Sequence, residues 1–279
     1  MSPPDDLRHS IEVPADVRRE LRRVSPRLGA IGHPIHWLAT TGSTNDVAIH
    51  LAALGAPEGT TVVAEAQSSG RGRHGRAWFS PAGAGLYVSV VLRPSPDGSL
   101  AGRENPMTLL TLAAGVAVAE AMRTSTGLPA EIKWPNDVMI GRRKLAGILA
   151  ESAAHAGAEP FVVLGFGVNV REAAYPAELA ARATSIEAET SRPADRAQIL
   201  AEILASLAER YADLRAAKFD AILSAWRGLA PSLRSVSIEW DSPTGIMSGR
   251  AEDIDAHGAL LVRVGDRIER LVAGEVRWR

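Results

Sequence analysis

The chain has 279 residues, 46% hydrophobic and 23% charged, which is ordinary for a globular protein with one large and one small domain. The formal net charge of −1 gives no global attraction to nucleic acid or lipid, so any anion must be bound locally. The absence of cysteine excludes disulfides and thiolate metal sites and favours the cytoplasm. No apolar run reaches the ~18 residues of a membrane span without charges or frequent small residues, so we expect no membrane partner.

Residues 1–30 begin as a polar segment, and their apolar spacing predicts a helix over Ala15–Val24. They lack the basic-then-apolar pattern of a signal peptide. A winged-helix DNA-binding module needs roughly twice this length or more. We interpret residues 1–30 as a tail with a packing helix.

A predicted strand over His36–Thr40 leads into TGSTND, where Ser43 has the position of a helix N-cap. The helix that follows extends to about Leu54. Ser43, Thr44 and Asn45 have two interpretations. They either cap the helix only, or form a compact set of neutral donors and acceptors that suits a small, polar, uncharged head group.

The β-branched stretch Thr60–Ala66 predicts a strand that leads through Gln67 into Gly70–Trp78 (GRGRHGRAW), here called the arginine loop. Glycine lets a backbone approach a ligand closely, and arginine offers charged, forked donors that match phosphate and carboxylate groups. Composition alone favours a solvated surface loop. The apolar end at Trp78 and a later charged motif at Lys133 favour a loop that closes over a polyanion.

A central apolar strand over Leu86–Leu92 is followed by a buried helix over Met107–Met122. The motif EIKWPND then places Lys133 at the end of a short strand. Lysine beside tryptophan between apolar strands is unusual, because lysine is rarely fully buried unless paired; the ordinary alternative is a snorkelling surface side chain. Further strands are predicted at Val138–Ile140, Lys144–Glu151 and Phe161–Val170, with a hairpin at Gly141-Arg142 and a close approach at Gly147.

The last part of the chain contains two helices and a group of short strands. Apolar spacing predicts a helix over Arg192–Ala216, with Pro193 in its first turn, and another over Phe219–Trp226. From about Ser232 the pattern is typical of a small barrel-like module, with predicted strands at Val236–Trp240, Gly245–Ile254, Ala259–Arg263 and Ile268–Ala273.

Together these motifs resemble those of biotin protein ligases. TGSTND, EAQSSGRGRHGRAW, KWPND, KLAGIL and GFGVNV occur in that family's order and approximate spacing, and Gly274-Glu275 continues the pattern. The match extends over roughly residues 36–279. The pairing of GRGRxGR with KWPND is highly specific, whereas either motif alone is much weaker.

The resemblance implies an α+β fold. A class II aminoacyl-tRNA synthetase-like mixed sheet with helices forms a catalytic domain over 31–230, and an SH3-like domain covers 231–279, after the 1–30 tail. It implies a ligase that uses ATP, with Mg²⁺, to convert biotin into biotinoyl-5′-AMP and then modifies a lysine of a biotin carboxyl carrier protein domain. The segment 1–30 is too short for the DNA-binding domain of bifunctional members, so we expect a ligase only, without a nucleic-acid partner, as a monomer or weak homodimer.

The resemblance also implies residue roles. Lys133 and Arg73 are expected to be catalytic, with Lys133 between the biotin carboxylate and the α-phosphate. The expected biotin-binding residues are Ser43, Thr44, Asn45, Gln67, Arg71, Gly72, Arg73 and Lys133. The expected ATP and adenylate residues are Arg71, Arg73, Arg76, Trp78, Asn136, Lys144 and Asn169, while no metal-ligand set is readable.

Three other functions stay open at this point. A lipoate-type ligase shares the fold and the adenylation chemistry, but usually has a different glycine-rich motif in place of GRGRxGR. A nucleic-acid-binding module would use the arginine loop and the terminal barrel, although the barrel lacks an evident basic, aromatic-rich face. A non-enzymatic sensor of a small molecule is the third.

Overall fold

The structure, a computed structural model, describes residues 10–94, 98–153, 160–173, 175–234, 236–243 and 245–279. Most of the described chain is built on one eight-stranded mixed sheet. Its strands are β1 (Ser10–Ile11), β2 (Ile35–Leu38), β3 (Thr61–Ala64), β4 (Gly85–Leu92), β5 (Glu131–Lys133), β6 (Asp137–Ile140), β7 (Arg143–Ala153) and β8 (Phe161–Asn169). They lie in the order β1-β2-β3-β4-β8-β7-β6-β5, with β2 and β3 parallel and every other neighbouring pair antiparallel.

Helices cover both faces of this sheet. They are α1 (Ala15–Leu28), α2 (Thr44–Ala53), α3 (Pro106–Thr126), α4 (Ala177–Ala180), α5 (Ile186–Thr190), α6 (Arg196–Arg215) and α7 (Phe219–Leu229). Because strand side chains alternate between faces, Val63 packs with the large cluster that includes α1, α3, α6 and α7, whereas Val62 and Ala64 pack with α2. The α2 face is the less covered one and carries the candidate site described below.

Helix α3 is long and apolar enough to cross a membrane by length and composition alone. Two thirds of its most apolar window, 67%, is buried inside the fold. It packs against α6, α7 and β7. Burial on this scale explains the apolar composition of α3 as that of a core helix.

Helix α1 belongs to the main fold. Arg23 and Arg27 each place a guanidinium nitrogen 2.7 Å from a carboxylate oxygen of Glu202 on α6, and only 8% of Glu202 is exposed. Burial tends to raise the pKa of Glu202, but the hydrogen bonds from Arg23 and Arg27 outweigh burial and leave that pKa below its ordinary value. The predicted packing helix therefore exists, and it extends beyond Val24 to Leu28.

A second, five-stranded sheet follows. Its strands are β9 (Ser237–Ser242), β10 (Gly245–Ile254), β11 (Leu260–Val264), β12 (Arg267–Leu271) and β13 (Val276–Trp278), in the order β12-β11-β10-β9-β13. The indole nitrogen of Trp134 donates to the carbonyl of Gly258, 2.9 Å away, so a turn of the small sheet docks onto the main domain. The prediction of a mixed sheet with helices and a small C-terminal β domain is confirmed; the boundaries 1–30, 31–230 and 231–279 stay our proposal.

One local prediction needs correction. Helix α6 begins after Asp195, whose carboxylate accepts a hydrogen bond from the Gln198 backbone, so Pro193 precedes the helix. The short helices α4 and α5, between β8 and α6, were not predicted. The short edge strands β1 and β13 have too few residues to show a periodic pattern in the sequence.

Candidate active site

The candidate site begins in a depression on the α2 face, where neighbouring strands lack side chains. Gly165 and Gly167 of β8 share this face with Val163, and Gly147 of β7 pairs with Gly167. A Cβ atom at Gly165 would lie 2.1 Å from Asn45 Oδ1, and one at Gly167 would lie 2.4 Å from Trp78 Nε1. The predicted close approach at Gly147 is confirmed, because its Cβ would lie 3.0 Å from the Trp78 ring.

The space above these glycines is here called the inner cavity. Neutral polar groups line one part of it, and cations line another. The neutral groups are Ser43, Thr44, Asn45 and Gln67, the apolar ones include Val88 and Phe166, and the cations are Arg71, Arg73 and Lys144.

The neutral groups form a buried hydrogen-bond network. Gln67 Oε1 accepts hydrogen bonds from the Thr44 backbone at 2.8 Å and from the Thr44 hydroxyl at 3.1 Å. The hydroxyl of Ser89 lies 2.8 Å from Thr44 Oγ1 and 2.5 Å from Asn45 Oδ1. Ser89 is fully buried, and Thr44 and Asn45 are each 4% exposed. Networks of this kind fix side chains before a ligand binds.

Ser43 occupies the predicted N-cap position of α2, with extended backbone angles, but its side chain makes no capping hydrogen bond within the described chain. Ser43 is nevertheless 2% exposed and lines the inner cavity. Capping therefore does not account for this hydroxyl, and it can serve a ligand.

A second space, here called the outer cavity, adjoins the first. Cations from several elements line it: Arg73, Arg76, Lys133, Arg142, Lys144, Arg182 and Arg277. Two carboxylates, Asp137 and Glu275, and the aromatic residues Trp78, Phe79, Tyr175 and Trp278 line it as well. Clustered cations with aromatic surfaces suit a ligand that has both phosphates and a ring system.

The two cavities meet at a shared wall, here called the junction. Its residues line both spaces and are Gly72, Arg73, Trp78, Asn136 and Lys144. The arginine loop forms this wall by closing on itself, with the Gly72 nitrogen 2.7 Å from the Arg76 carbonyl and the Trp78 nitrogen 2.8 Å from the Gly70 carbonyl. The part of the inner cavity lined by Ser43, Thr44, Asn45 and Gln67 is here called the head-group region. Two cations, Arg73 and Lys144, thus lie between it and the outer cavity.

Lys144 is held at the junction by contacts on both sides of its ammonium group. Its Nζ atom lies 2.6 Å from Asp137 Oδ1 and 5.2 Å from the centre of the Trp78 ring. Its backbone is bonded to the segment that follows β8, through the Arg182 carbonyl at 2.7 Å and the Thr184 nitrogen at 3.0 Å.

Lys133 lies elsewhere. It belongs to the edge strand β5, lines the outer cavity only, and stacks 5.8 Å from the Trp278 ring. Burial lowers the pKa of Lys133, against the opposing attraction of Asp137 and Glu275. Lys133 therefore lies on the wall of the outer cavity, and its expected place between the biotin carboxylate and the α-phosphate stays a prediction.

The three arginines of the loop differ in their contacts. Arg73 lies at the junction and donates to Asn136 Oδ1 at 3.3 Å and to the Gly274 carbonyl at 3.1 Å; burial lowers its pKa, but an arginine stays charged at neutral pH. Arg71 lies 2.7 Å from Asp46 Oδ1 and lines only the inner cavity. Arg76 lies 2.6 Å from Glu275 Oε1 and lines only the outer one.

Both asparagines of the expected ATP set line the outer cavity, and both are held by backbone contacts. Asn136 donates to the Ile148 carbonyl at 2.8 Å, which anchors the turn before β6. Asn169 donates to the Thr184 carbonyl at 3.0 Å and to the Lys144 carbonyl at 3.4 Å. Their amide NH₂ groups therefore support the walls of the cavity. Among the described residues, no three His, Cys, Asp or Glu side chains form a cluster that could hold a metal.

Comparison with known proteins agrees with this geometry. The model of the biotin/lipoate A/B protein ligase family matches residues 37–169, and that of the biotin protein ligase C-terminal domain matches residues 236–277. A biotin–[acetyl-CoA-carboxylase] ligase of Mycobacterium tuberculosis is 36% identical over 274 residues, covering 96% of this chain and 97% of the relative. The chain is a member of the biotin protein ligase family.

Other members of the biotin protein ligase family support this assignment. The bifunctional ligase/repressor BirA of Bacillus spizizenii is 32% identical over 272 residues, which cover 95% of this chain and 80% of that protein. The structure of the Aquifex aeolicus biotin protein ligase in complex with biotin and ATP superposes with a TM-score of 0.75 at 28% identity, covering 88% of this chain and 98% of that one.

Several residues that build the site of this biotin protein ligase family member carry little signal in the sequence. Ser89 is a lone hydroxyl in an apolar strand, and this break in pattern is its signal. Gly165 and Gly167 belong to the GFGVNV motif, but the motif does not show that they form the floor of a cavity. Glu151 and Asp46, which contact Arg71, gave no local signal, because only the tertiary fold brings them to the loop.

Proposed function

We propose that the protein is an ATP-dependent biotin protein ligase that forms biotinoyl-5′-AMP and transfers the biotinoyl group to a lysine of a biotin carboxyl carrier protein domain. The observation that carries the proposal is the junction. It joins a cavity with a neutral polar region to a cation-rich cavity, and Arg73 and Lys144 line both. The relatives and the Aquifex aeolicus complex support biotin and ATP as the two substrates.

The head-group region matches a urea. Asn45 Nδ2 carries two hydrogens and donates one to Glu151 Oε2, 2.6 Å away. The other hydrogen can be donated to a ligand. The uncapped Ser43 hydroxyl supplies a second donor. A urea carbonyl accepts two hydrogen bonds, so Ser43 and Asn45 would bind the carbonyl of the biotin ring. The positive charge of Arg71 in this cavity is already paired with Asp46 and Glu151.

The acyl tail of biotin would then carry its carboxylate to the junction, while MgATP enters through the outer cavity. In the first step a carboxylate oxygen bonds to the α-phosphorus and the bond to the bridging oxygen of pyrophosphate breaks. Two anions must meet for this, so fixed cations at the point of contact lower the barrier. In the second step a neutral carrier lysine bonds to the acyl carbon, AMP leaves, and the amine loses a proton.

Lys133 would keep the bridging role that the family resemblance implies. It is a half-buried cation on the wall of the outer cavity, beside the Trp278 ring, and its flexible side chain would reach the carboxylate and the α-phosphate. Arg73 and Lys144, which line both cavities, would hold the α-phosphate from the junction. Arg76 would contact the remaining phosphates from the outer cavity. To do so, Arg76 must release Glu275 and bind a phosphate oxygen in its place.

The arginine loop would also protect the mixed anhydride from water. Its backbone closes one side of the junction, and Trp78 covers Gly147 and Gly167. Magnesium enters this account as part of the nucleotide substrate. The carboxylates that line the outer cavity, Asp137 and Glu275, are paired with Lys144 and Arg76.

One incubation tests the proposal. The protein is mixed with ATP, biotin and a purified biotin carboxyl carrier domain, and the intact mass of the carrier is measured. We expect a gain of one biotinoyl group that requires ATP, with AMP and pyrophosphate released. A parallel reaction with lipoate should leave the carrier unmodified. An unchanged carrier with biotin, or modification with lipoate only, would contradict the proposal.

A further inference from the structure

Glu151 lines neither cavity, yet it contacts residues on two sides of the inner one. This carboxylate lies on β7, with 28% of its side chain exposed. Its Oε2 atom accepts a hydrogen bond from Asn45 Nδ2 at 2.6 Å and from Arg71 at 2.9 Å. A single oxygen atom is therefore shared between the head-group region and the arginine loop.

The first contact decides which way the Asn45 amide points. Asn45 Oδ1 lies 2.5 Å from the Ser89 hydroxyl, but a hydroxyl can donate or accept, so Ser89 alone would tolerate either orientation. A carboxylate can only accept. Glu151 therefore requires the NH₂ group of Asn45 on its own side, and the Oδ1 atom faces Ser89 as a consequence.

The second contact anchors the arginine loop. Arg71 binds Glu151 and also Asp46, the neighbour of Asn45 in the first turn of α2. Gly72 and Arg73, which follow Arg71 directly, form part of the junction. The position of the loop over the junction thus depends on the same carboxylate that orients Asn45.

We propose that Glu151 is a positioning residue that links recognition of a urea-type head group to closure of the arginine loop. The inference rests on the proposed function. The shared oxygen orients the Asn45 amide for the head group and holds Arg71, so that the loop closes over a correctly built cavity. Loss of Glu151 should therefore affect biotin affinity and intermediate retention together.

The test compares Glu151→Ala, Glu151→Gln and Asp46→Asn with wild type. Biotin dissociation constants are measured by calorimetry, and release of biotinoyl-AMP is measured after a single turnover without carrier. Glu151→Ala should weaken biotin binding about 10- to 100-fold, the range for losing a hydrogen bond to a charged group, and should speed release of the intermediate. Glu151→Gln keeps the shape and should show both effects more weakly. Asp46→Asn should speed release but leave biotin affinity within about threefold.

A matched control is Glu252→Ala, which removes an exposed carboxylate paired with Arg263 in the small sheet and should change neither quantity. If Glu151→Ala and Glu151→Gln lower only the melting temperature and bind biotin as wild type does, Glu151 is merely structural and the inference is overturned. Wild-type protein that binds no biotin would overturn the proposed function as well, so the two failures are distinguishable.

Discussion

The substitution Gly165→Ala tests the inner cavity with a single carbon atom. The new Cβ would lie 2.1 Å from Asn45 Oδ1, whereas ordinary van der Waals contact begins near 3.4 Å. Asn45 must therefore move by about 1.3 Å, the difference between these two distances. Its contacts at 2.5 Å to Ser89 and 2.6 Å to Glu151 cannot both survive such a shift.

The expected loss follows from the hydrogen bond that a displaced Asn45 no longer gives to the ligand carbonyl. A buried polar group left without its partner costs about 1–3 kcal/mol, which corresponds to a dissociation constant for biotin raised roughly 5- to 150-fold. Calorimetric titration with biotin measures this directly. The control is Gly228→Ala on α7, where an added Cβ meets no described atom within 4 Å apart from the adjacent residues and the backbone of its own helix, and alanine should favour the helix. Biotin affinity for Gly165→Ala within threefold of wild type would refute the placement of Asn45 in the head-group region.

Three further predictions concern other parts of the molecule. Arg73→Ala should release biotinoyl-AMP faster than wild type with little change in melting temperature; equal release rates would remove Arg73 from the junction. Burial lowers the pKa of Lys133, so the charged form destabilises the fold and Lys133→Met should melt at a higher temperature than wild type at pH 7. The gain in melting temperature should shrink as pH rises through that lowered pKa towards 10.5. A gain that persists above pH 10.5 would contradict this. Arg23 and Arg27 keep the pKa of Glu202 below 4.5, so Glu202→Gln should be less stable to denaturant than wild type at pH 7. This difference in stability should vanish as pH falls through the lowered pKa of Glu202. A difference that persists in acid would indicate a cause other than charge.

Much of the fold could be predicted from local patterns in the sequence. Helix α3 and strand β4 are long and strongly patterned, and the arginine loop is marked by its glycines and arginines. What could not be predicted is strand order. Lys133 ends the three-residue strand β5, and Lys144 lies near the start of the eleven-residue strand β7. Only the sheet order shows that β7 lies next to β8 while β5 lies at the edge. Strand pairing is a long-range property, so a local pattern cannot distinguish the two lysines.

The hydrogen-bond network shows the same limit. Ser43 fits the N-cap pattern, yet its side chain makes no capping hydrogen bond in the described chain. The sequence pattern predicts that Ser43 lies at the start of the helix, but it does not predict the hydrogen-bond partner of the hydroxyl. The partners of Asn45, namely Ser89 and Glu151, are distant in sequence and meet it only through the pairing of β4, β8 and β7.

The central claim is that cations at and beside the junction let a carboxylate and an α-phosphate meet, and biotin-dependent exchange of pyrophosphate into ATP measures that step alone. Wild type, Lys133→Met and Lys144→Met are compared at saturating biotin and varied ATP. We expect Lys133→Met to lose about 100- to 1000-fold of the exchange rate, as for other removed charge-stabilising groups, while Lys144→Met keeps the reaction with a raised KM for ATP. Exchange that is preserved in Lys133→Met and lost in Lys144→Met would contradict the account.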